Sequence, residues 1–240
     1  MKKFIVDKEI FDIFPNLSIG ILALNDVNEN ISLDDKSLKE IKEILDNANL
    51  EARKYLTSDV ISENEVVRVW REAYQKFPNK KGARCSVENL LKRVLHDNPV
   101  GTIVPSVDIT NAISLKCALP IGVEDLGKVD GDIHLGVMKG GEDFLPIGSE
   151  EQDPPLPGEV AYYDNFGVIC RCLNWRDGIR TEVTDNTIKE FIAMECIDST
   201  RVNELKAAID ELEILLKRYL NVSIINKQII DVNNNEMNIE

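Results

Sequence analysis

A cluster of polar and aromatic side chains follows an apolar stretch near residue 170. Within ten residues it holds three arginines, an indole and an amide, in the set Arg171, Asn174, Trp175, Arg176, Asp177, Arg180 and Thr181. Arginine presents a planar fork of donors to a carboxylate or phosphate, and tryptophan presents a surface for stacking. The cluster therefore indicates a ligand site. The alternative is a hairpin held by arginine–aspartate pairs around a buried tryptophan.

Several familiar catalytic signatures are absent from the sequence. It contains no G-x-x-x-x-G-K-[ST] phosphate loop, no G-x-G-x-x-G motif and no G-x-S-x-G nucleophile elbow. The five cysteines are scattered apart from the C-x-C pair Cys170 and Cys172, and the two histidines are far apart in sequence. This spacing does not suit zinc, so we expect no metal and no cofactor. The odd cysteine count favours a reduced, cytoplasmic protein over a disulfide scaffold.

Charge and hydropathy restrict the class of protein further. The 240 residues include 28 Lys+Arg and 42 Asp+Glu, a net charge of -14, and 43% are hydrophobic, which is enough for a buried core. No apolar run reaches the ~18–20 residues of a membrane span, and we expect no secretory signal. The acidity argues against a general nucleic-acid coat protein. Only residues 60–97 are net positive, with eight basic and five acidic residues. They indicate either a solvated helical face or a contact with an anion or an RNA backbone.

Hydrophobic periodicity predicts the elements that position these residues. Strands are expected at residues 4–6, 17–24, 133–137, 160–163, 168–172 and 191–194. Helices are expected over about 35–56, from a Ser62 cap to Phe77, from a Ser86 cap to Leu95, and over 108–119 and 202–219. This order predicts one α+β domain over residues 1–220, with helices packed on a mixed or antiparallel sheet. The polar residues near the end predict a partly disordered tail over 221–240.

Several motifs, in a consistent order and spacing, are similar to a known family. Residues 105–112 (PSVDITNA), 119–126 (LPIGVEDL), 130–133 (DGDI) and 183–187 (VTDNT) resemble the B3/B4 tRNA-editing domain of the phenylalanyl-tRNA synthetase beta subunit. Residues 70–74 (WREAY), 86–91 (SVENLL) and 174–177 (NWRD) are similar to free-standing relatives of that domain. The resemblance covers roughly residues 10–197 and implies a B3/B4-like fold.

The resemblance also implies an activity and its site. In the synthetase this domain hydrolyses the ester of tyrosine wrongly attached to phenylalanine tRNA, with no metal, in a pocket for the amino acid and the terminal adenosine. The family's editing asparagine corresponds to Asn111. The family's pocket histidine corresponds to Gly122, and the glutamate that reads the tyrosine hydroxyl corresponds to Ile179. These two departures leave a binding domain without hydrolysis as an alternative.

The residues and the resemblance together define candidate roles. We expect Asn111, Glu124 and Asp177 to serve catalysis, a carboxylate orienting the attacking water. Arginines near the site would stabilise an oxyanion or hold terminal phosphates, whereas Ser114 either lines the pocket or bonds within its own helix. The expected substrate-binding residues are Arg84, Ser86, Ser114, Gly122, Arg171, Asn174, Trp175, Arg176 and Thr181.

Three functions are compatible with these residues. The first is a stand-alone deacylase acting in trans on misacylated tRNA. The second is a binding module for an amino acid or a tRNA acceptor end, and the third is a hydrolase of another small ester or amide. The expected partners are the tRNA acceptor end, in weak and salt-sensitive contact, and an amino acid or aminoacyl ester, with no membrane. The sequence leaves the amino acid, the tRNA and the oligomeric state open.

Overall fold

The structure, a computed structural model, describes residues 1–27 and 33–240. In these ranges the α-helices are α1 Lys8–Ile13, α2 Asp35–Glu51, α3 Glu65–Ala73, α4 Ser86–Leu95, α5 Pro105–Cys117 and α6 Val202–Leu220. The strands are β1 Lys3–Val6, β2 Ser18–Asn25, β3 Ile121–Asp125, β4 Ile133–Val137, β5 Val160–Tyr163, β6 Val168–Arg171, β7 Arg176–Asp177, β8 Glu190–Cys196, β9 Ser223–Ile230 and β10 Glu236–Asn238.

The strands form two sheets that face each other. The first is mixed, in the order β10-β1-β4-β5-β6-β7, with β1 and β4 parallel. The second is antiparallel, in the order β3-β8-β2-β9. Aromatic packing joins them, since the Phe4 ring of β1 lies 5.1 Å from Phe191 of β8 and 6.0 Å from Tyr162 of β5. The core between the sheets is thus built from the inner faces of both.

The central strands of the second sheet are apolar on both faces. Along β2, Ile19 and Ile21 belong to the core between the sheets, whereas Leu22 packs in a second cluster with α5 and α6. Such double burial explains why β2 is a continuous apolar run with no polar alternation. Gly20 faces α6, where an added Cβ would come within 2.5 Å of the Ile209 side chain, so the helix approaches the strand closely there.

The α+β class and the mixed and antiparallel sheets expected from the sequence are confirmed. The strands near residues 4, 19, 135, 161, 169 and 192 form where the apolar runs predict them. β3 was not expected, because its five residues carry two acidic side chains and lack the apolar run of the other strands. This strand is important for the site described below.

The starts of two helices differ from expectation. Ser62 lies in a short 3-10 turn, and α3 begins after Asn64, whose side-chain oxygen accepts hydrogen bonds from the amides of Thr57 and Ser58 at 2.7 and 3.0 Å. The helix ends at Ala73, well before Phe77. Ser86 is the first residue of α4 and not its cap. This leaves the Ser86 hydroxyl free for another role.

The C-terminal residues correct the expectation of a partly disordered tail. β9 pairs with β2 along its length, from Asn25 opposite Ser223 to Ile19 opposite Ile230, and β10 adds an edge to the first sheet beside β1. The asparagine run that suggested fraying forms a tight turn between these strands. Ile230 and Ile239 are completely buried. The end of the chain therefore belongs to both sheets.

This packing predicts the effect of truncating a C-terminal side chain. We expect Ile239→Ala to lower the free energy of unfolding by about 2–5 kcal/mol, because it opens a cavity at a fully buried position. The matched control Val232→Ala, at a residue 58% exposed, should change it by no more than about 0.5 kcal/mol. Urea denaturation of both variants measures the difference. Equal, negligible effects would mean that these residues are not packed in solution.

Candidate functional site

The register of the second sheet turns polar and small residues toward the first sheet. In the antiparallel pair of β3 and β8, Gly122 lies opposite Ala193 and Glu124 lies opposite Phe191. Residues directly opposite share a face of the sheet, and Phe191 and Ala193 both belong to the core between the sheets. Glu195, two residues after Ala193, points the same way. Two carboxyl groups thus project from this sheet into the core.

The first sheet supplies the opposing wall. Tyr162 of β5 lies opposite Cys170 of β6, and Cys170 lies opposite Asp177 of β7, so these three share one face. Together with the residues of the second sheet they enclose a cavity of about 40 Å³. About 10–15 Å³ admits one water molecule, so this volume holds about three groups of that size.

A tight turn after β6 brings two further side chains to the cavity. Cys172 and Leu173 adopt left-handed φ angles of 48° and 65°, which reverse the chain and direct Asn174 and Trp175 to the cavity wall. The amide N–H of Ser86, at the start of α4, donates to the Asn174 carbonyl at 3.0 Å. This hydrogen bond fixes the turn to the helix and explains why Ser86 also lines the cavity.

Glu195 is the carboxyl best suited to proton transfer. It is buried, and the hydroxyl of Tyr162 donates to its Oε1 at 2.7 Å. Burial raises the pKa of Glu195 to about 7, although the Tyr162 hydrogen bond and the nearby Asn174 amide oppose the shift by stabilising the charged form. A carboxyl with this pKa is partly ionised at neutral pH, so it can both accept and return a proton.

Glu124 and Asp177 form a second acidic group in the same cavity. Burial, and then the neighbouring Asp177 carboxyl, raise the pKa of Glu124 well above its usual range. Burial also raises the pKa of Asp177, whose carboxyl is enclosed although the residue as a whole is partly exposed. Two such carboxyls without a cation beside them favour a protonated form.

Four buried polar atoms at the cavity have no well-formed hydrogen bond. They are Ser86 Oγ, Glu124 Oε2, Asn174 Nδ2 and Glu195 Oε2. The Asn174 amide is oriented by Tyr74, whose hydroxyl donates to its Oδ1 at 3.1 Å. Each unsatisfied buried group costs about 1–3 kcal/mol, and a bound molecule with both donors and acceptors would remove that cost.

Arg171, an expected substrate-binding residue, instead stabilises the fold. It is fully buried, and its Nε and Nη2 donate to the two carboxylate oxygens of Glu159 at 2.8 and 2.7 Å. Its Nη1 lies 2.9 Å from Asp153. The bidentate pair with Glu159 neutralises a buried charge and leaves no donor directed to the cavity. The expectation that it binds substrate is therefore corrected.

The remaining expected residues lie at varied distances from the cavity. Thr181 is buried with its hydroxyl beside Glu124, and the Arg176 guanidinium lies 5.9 Å from the centre of the Trp175 ring. Ser114 is buried on α5 and donates to the Leu119 carbonyl at 2.6 Å, so it does not line the cavity. Asn111, partly exposed on α5, is also absent from the described cavity wall.

A second cleft, of about 420 Å³, adjoins the cavity between α3 and the start of α4. Tyr74, which holds Asn174, also lines this cleft. Arg71 and Arg84 lie on its walls and both pair with the buried Glu88, at 2.5 and 3.4 Å. The side chains of Arg71 and Arg84 are 34% and 39% exposed, so the cleft presents two partly exposed arginines beside the acidic cavity.

Sequence reasoning missed Glu195 and Tyr162, which are central to the cavity. A signal for Glu195 existed, because a charged residue stands in β8 at the alternation that buries Phe191 and Ala193. Ile179, expected in place of the family's glutamate, is 44% exposed and lies outside the cavity wall. The acidic side chains that line this cavity are instead those of Glu124, Asp177 and Glu195.

The fold and the site define an α+β domain that encloses an acidic cavity between a mixed and an antiparallel sheet. Residues 69–219 match the family model of the B3/4 domain, and the chain belongs to that family, as its motifs indicate. Among solved structures it is similar to an N-terminal fragment of the phenylalanyl-tRNA synthetase beta subunit from Pyrococcus horikoshii, with 14% identity and a TM-score of 0.48. The match covers 92% of this chain and 49% of that one, so the chain spans about half its length. No curated protein matches the chain.

Two further features concern the described residues only. Across residues 1–27 and 33–240, no helix combines the length and the apolar character needed to cross a membrane. In the same ranges no three His, Cys, Asp or Glu side chains are grouped to hold a metal ion. The five cysteines are free thiols, and burial raises the pKa of the Cys170 thiol at the cavity wall, which keeps it neutral.

The role of Arg171 predicts a loss of stability on its replacement. We expect Arg171→Met to lower the free energy of unfolding by about 3–5 kcal/mol, because it leaves Glu159 charged and buried without a partner. Adding Glu159→Gln should recover part of the loss. Arg176→Met, at a partly exposed arginine paired with Arg171 on the neighbouring strand β7, is the control and should cost less than about 1 kcal/mol. Chemical denaturation tests this, and an unchanged stability in Arg171→Met would contradict it.

The raised pKa of Glu195 predicts a pH dependence of stability. Between pH 4.5 and about 7 the unfolded chain ionises this carboxyl while the folded chain keeps it protonated, so stability falls as pH rises across that window. The full loss is about 3 kcal/mol, at 1.36 kcal/mol for each pKa unit. Glu195→Gln should remove its own contribution to this decline and leave that of Glu190, whose pKa burial also raises to about 7, whereas the exposed control Glu150→Gln should retain the whole decline. Parallel profiles for wild type and Glu195→Gln would contradict the assignment.

Proposed function

We propose that this protein hydrolyses the ester bond of a misacylated tRNA, acting in trans as a stand-alone deacylase. One observation carries the proposal: a buried carboxyl with a pKa of about 7, Glu195, lines the same small cavity as the unpartnered amide of Asn174. A base of that strength and a fixed hydrogen-bond donor are what hydrolysis of an activated ester requires. Membership of the B3/4 domain family supports the choice of an aminoacyl ester.

In this mechanism Glu195 moves the proton. Its Oε2, which has no hydrogen bond, accepts a proton from a water molecule as that water attacks the ester carbonyl carbon. The bond from that carbon to the ribose oxygen then breaks, and the same carboxyl returns the proton to the departing oxygen. The products are a free amino acid and a tRNA with its terminal hydroxyl restored. Tyr162 holds the carboxyl in place through its hydrogen bond to Oε1.

Asn174 stabilises the negative charge that develops on the carbonyl oxygen. Because Tyr74 fixes the amide through Oδ1, the Nδ2 group is held toward the cavity and needs no reorganisation during the reaction. The neighbouring cleft then receives the end of the tRNA, where Arg71 and Arg84 contact backbone phosphates. A protein with a net charge of -14 binds RNA only through such a local surface, so the contact is weak and salt-sensitive.

Deacylation of a panel of mischarged tRNAs tests this function. We expect at least one aminoacyl-tRNA to be hydrolysed well above the rate in buffer. Glu195→Gln should lower kcat/KM by about 10²–10⁴-fold, the usual contribution of a general base. The rate should rise with pH and level off above about 7 in the wild type, and this dependence should disappear in the variant.

Glu190→Gln is the matched control for that experiment. Glu190 is also buried in β8 with a pKa raised by burial to about 7, but it accepts a hydrogen bond from Ser106 and lies outside the cavity wall. Its replacement should leave deacylation unchanged. Hydrolysis of no aminoacyl-tRNA above the buffer rate, or an equal loss in both variants, would contradict the proposal.

A binding module without hydrolysis is the second candidate. It is favoured by Gly122, which lines the cavity where the family resemblance implies a histidine, and an added Cβ there meets nothing within 4 Å. The space at Gly122 is therefore not filled by another side chain. Calorimetric binding of an aminoacyl-tRNA that is not hydrolysed would support this candidate over the first.

A further inference from the structure

The Glu124–Asp177 pair is not used by the hydrolysis described above. Glu124 projects from β3 and Asp177 from β7, so the two carboxyls come from opposite sheets to one cavity. Because both carboxyls line this cavity, Asp177 further raises the pKa of Glu124. Each would be costly to ionise at this position without a positive charge nearby.

No basic side chain lines this cavity in the described part of the chain. The Arg180 guanidinium partly offsets the rise in the pKa of Glu124, but it is itself paired with Asp164 at 2.7 Å and does not line the cavity. Arg171 shows how the fold stabilises a buried carboxylate, by pairing it with a guanidinium as it does for Glu159. A bound cation would supply the same partner to the acidic pair at the cavity.

An independent observation at the same cavity is a buried polar side chain without a well-formed hydrogen bond. Asn174 is nine-tenths or more buried and lines the same cavity, and its Nδ2 donor makes no well-formed hydrogen bond, although it lies near enough to Glu195 to lower the pKa of that carboxyl. Glu124 Oε2 is an unpartnered acceptor on the opposite wall. A ligand that satisfies both must carry a donor group next to a carbonyl or similar acceptor.

We propose that Glu124 and Asp177 bind a cationic nitrogen of the ligand, an ammonium or a guanidinium, while Asn174 holds its carbonyl oxygen. The inference rests on the proposed function in taking the ligand to be an aminoacyl group. An ammonium has the size of a water molecule, so it and the attacking water fit a cavity of about 40 Å³. The rest of the ligand lies toward Trp175, whose indole face also attracts cations.

The cation has two chemical sources in an aminoacyl ester. One is the α-ammonium that every aminoacyl group carries, and the other is the charged side chain of a basic amino acid. The first would make the protein require a free α-amino group whatever the side chain. The second would make it select basic amino acids. Both place the same charge against the same two carboxyls.

Stable amide analogues distinguish these sources. The probes are 3′-amino-3′-deoxyadenosine acylated with L-lysine or L-norleucine, each with a free or an acetylated α-amino group, and binding is measured by calorimetry. A requirement for the free α-amino group in both series identifies the α-ammonium. Preference for lysine over norleucine, kept after α-acetylation, identifies the side chain. Equal binding of uncharged acetyl-norleucine and the charged probes, or no binding of any probe, overturns the proposal.

Variants of the pair provide the second readout. Glu124→Gln and Asp177→Asn should each weaken the charged probes at least about tenfold, because a hydrogen bond between charged groups is replaced by a neutral one. They should leave uncharged acetyl-norleucine unchanged. Glu190→Gln, a buried carboxyl outside the cavity wall, is the matched control and should alter no affinity. Equal loss for charged and uncharged probes would mean a structural role and would overturn the inference.

This design separates failure of the inference from failure of the proposed function. The amide probes are not hydrolysed, so their binding does not depend on the deacylation step. Cation-dependent binding without hydrolysis of any aminoacyl-tRNA would retain the inference and reject the deacylase. Hydrolysis of an aminoacyl-tRNA together with equal affinity for charged and uncharged probes would retain the deacylase and reject the inference.

Discussion

Three carboxyl groups meet between the two sheets, in a cavity whose described walls hold no basic side chain. Burying a carboxyl removes it from water, and without a counter-ion the group retains its proton to a higher pH. The packing of the sheets must offset this cost, and the aromatic contacts of Phe4 with Phe191 and Tyr162 are part of that packing. The chemistry of the site therefore depends on the same interface that forms the core.

The pair of Arg171 and Glu159 shows what the fold does with a buried charge that has no such function. There the carboxylate receives two donors from one guanidinium and a further amide, that of Cys172 at 3.1 Å. Glu124, Asp177 and Glu195 receive no comparable set of partners. Glu190 is also buried with one unpartnered oxygen, so the number of partners alone does not mark a candidate functional carboxyl. What distinguishes Glu124, Asp177 and Glu195 is that all three line one cavity.

Much of the fold could be predicted from local pattern. The apolar run of β2 and the amphipathic repeat of α6 are strong signals because they persist over seven or more residues, and β8 adds a shorter apolar run over residues 191–194. β3 and the C-terminal strands could not be predicted in the same way. Glu124 and Asp125 make β3 look like a polar loop, and β9 is partly exposed with polar residues among its isoleucines. Their strand structure comes from pairing with residues more than a hundred positions away in some cases, as β9 pairs with β2.

The residues of the site could be predicted from the sequence only in part, for a related reason. Asn174, Trp175 and Asp177 stand in one unusual cluster, so sequence alone predicts them as a group. Arg171 belongs to the same cluster, but only the register and Glu159 reveal that it points into the core. Glu195 lies outside this cluster in the sequence, where it could be a solvent-exposed acidic residue near the end of a strand. Its importance follows from alternation along β8 combined with the packing of a second sheet over that face.

The most direct test of this account is a titration of the Glu195 carboxyl by ¹³C NMR with labelled glutamate, its resonance assigned by loss in Glu195→Gln. Burial between the sheets predicts a midpoint near pH 7. A midpoint near the ordinary glutamate value of about 4.3 would contradict it, because such a carboxyl would be solvated or paired and the cavity would not be the site described.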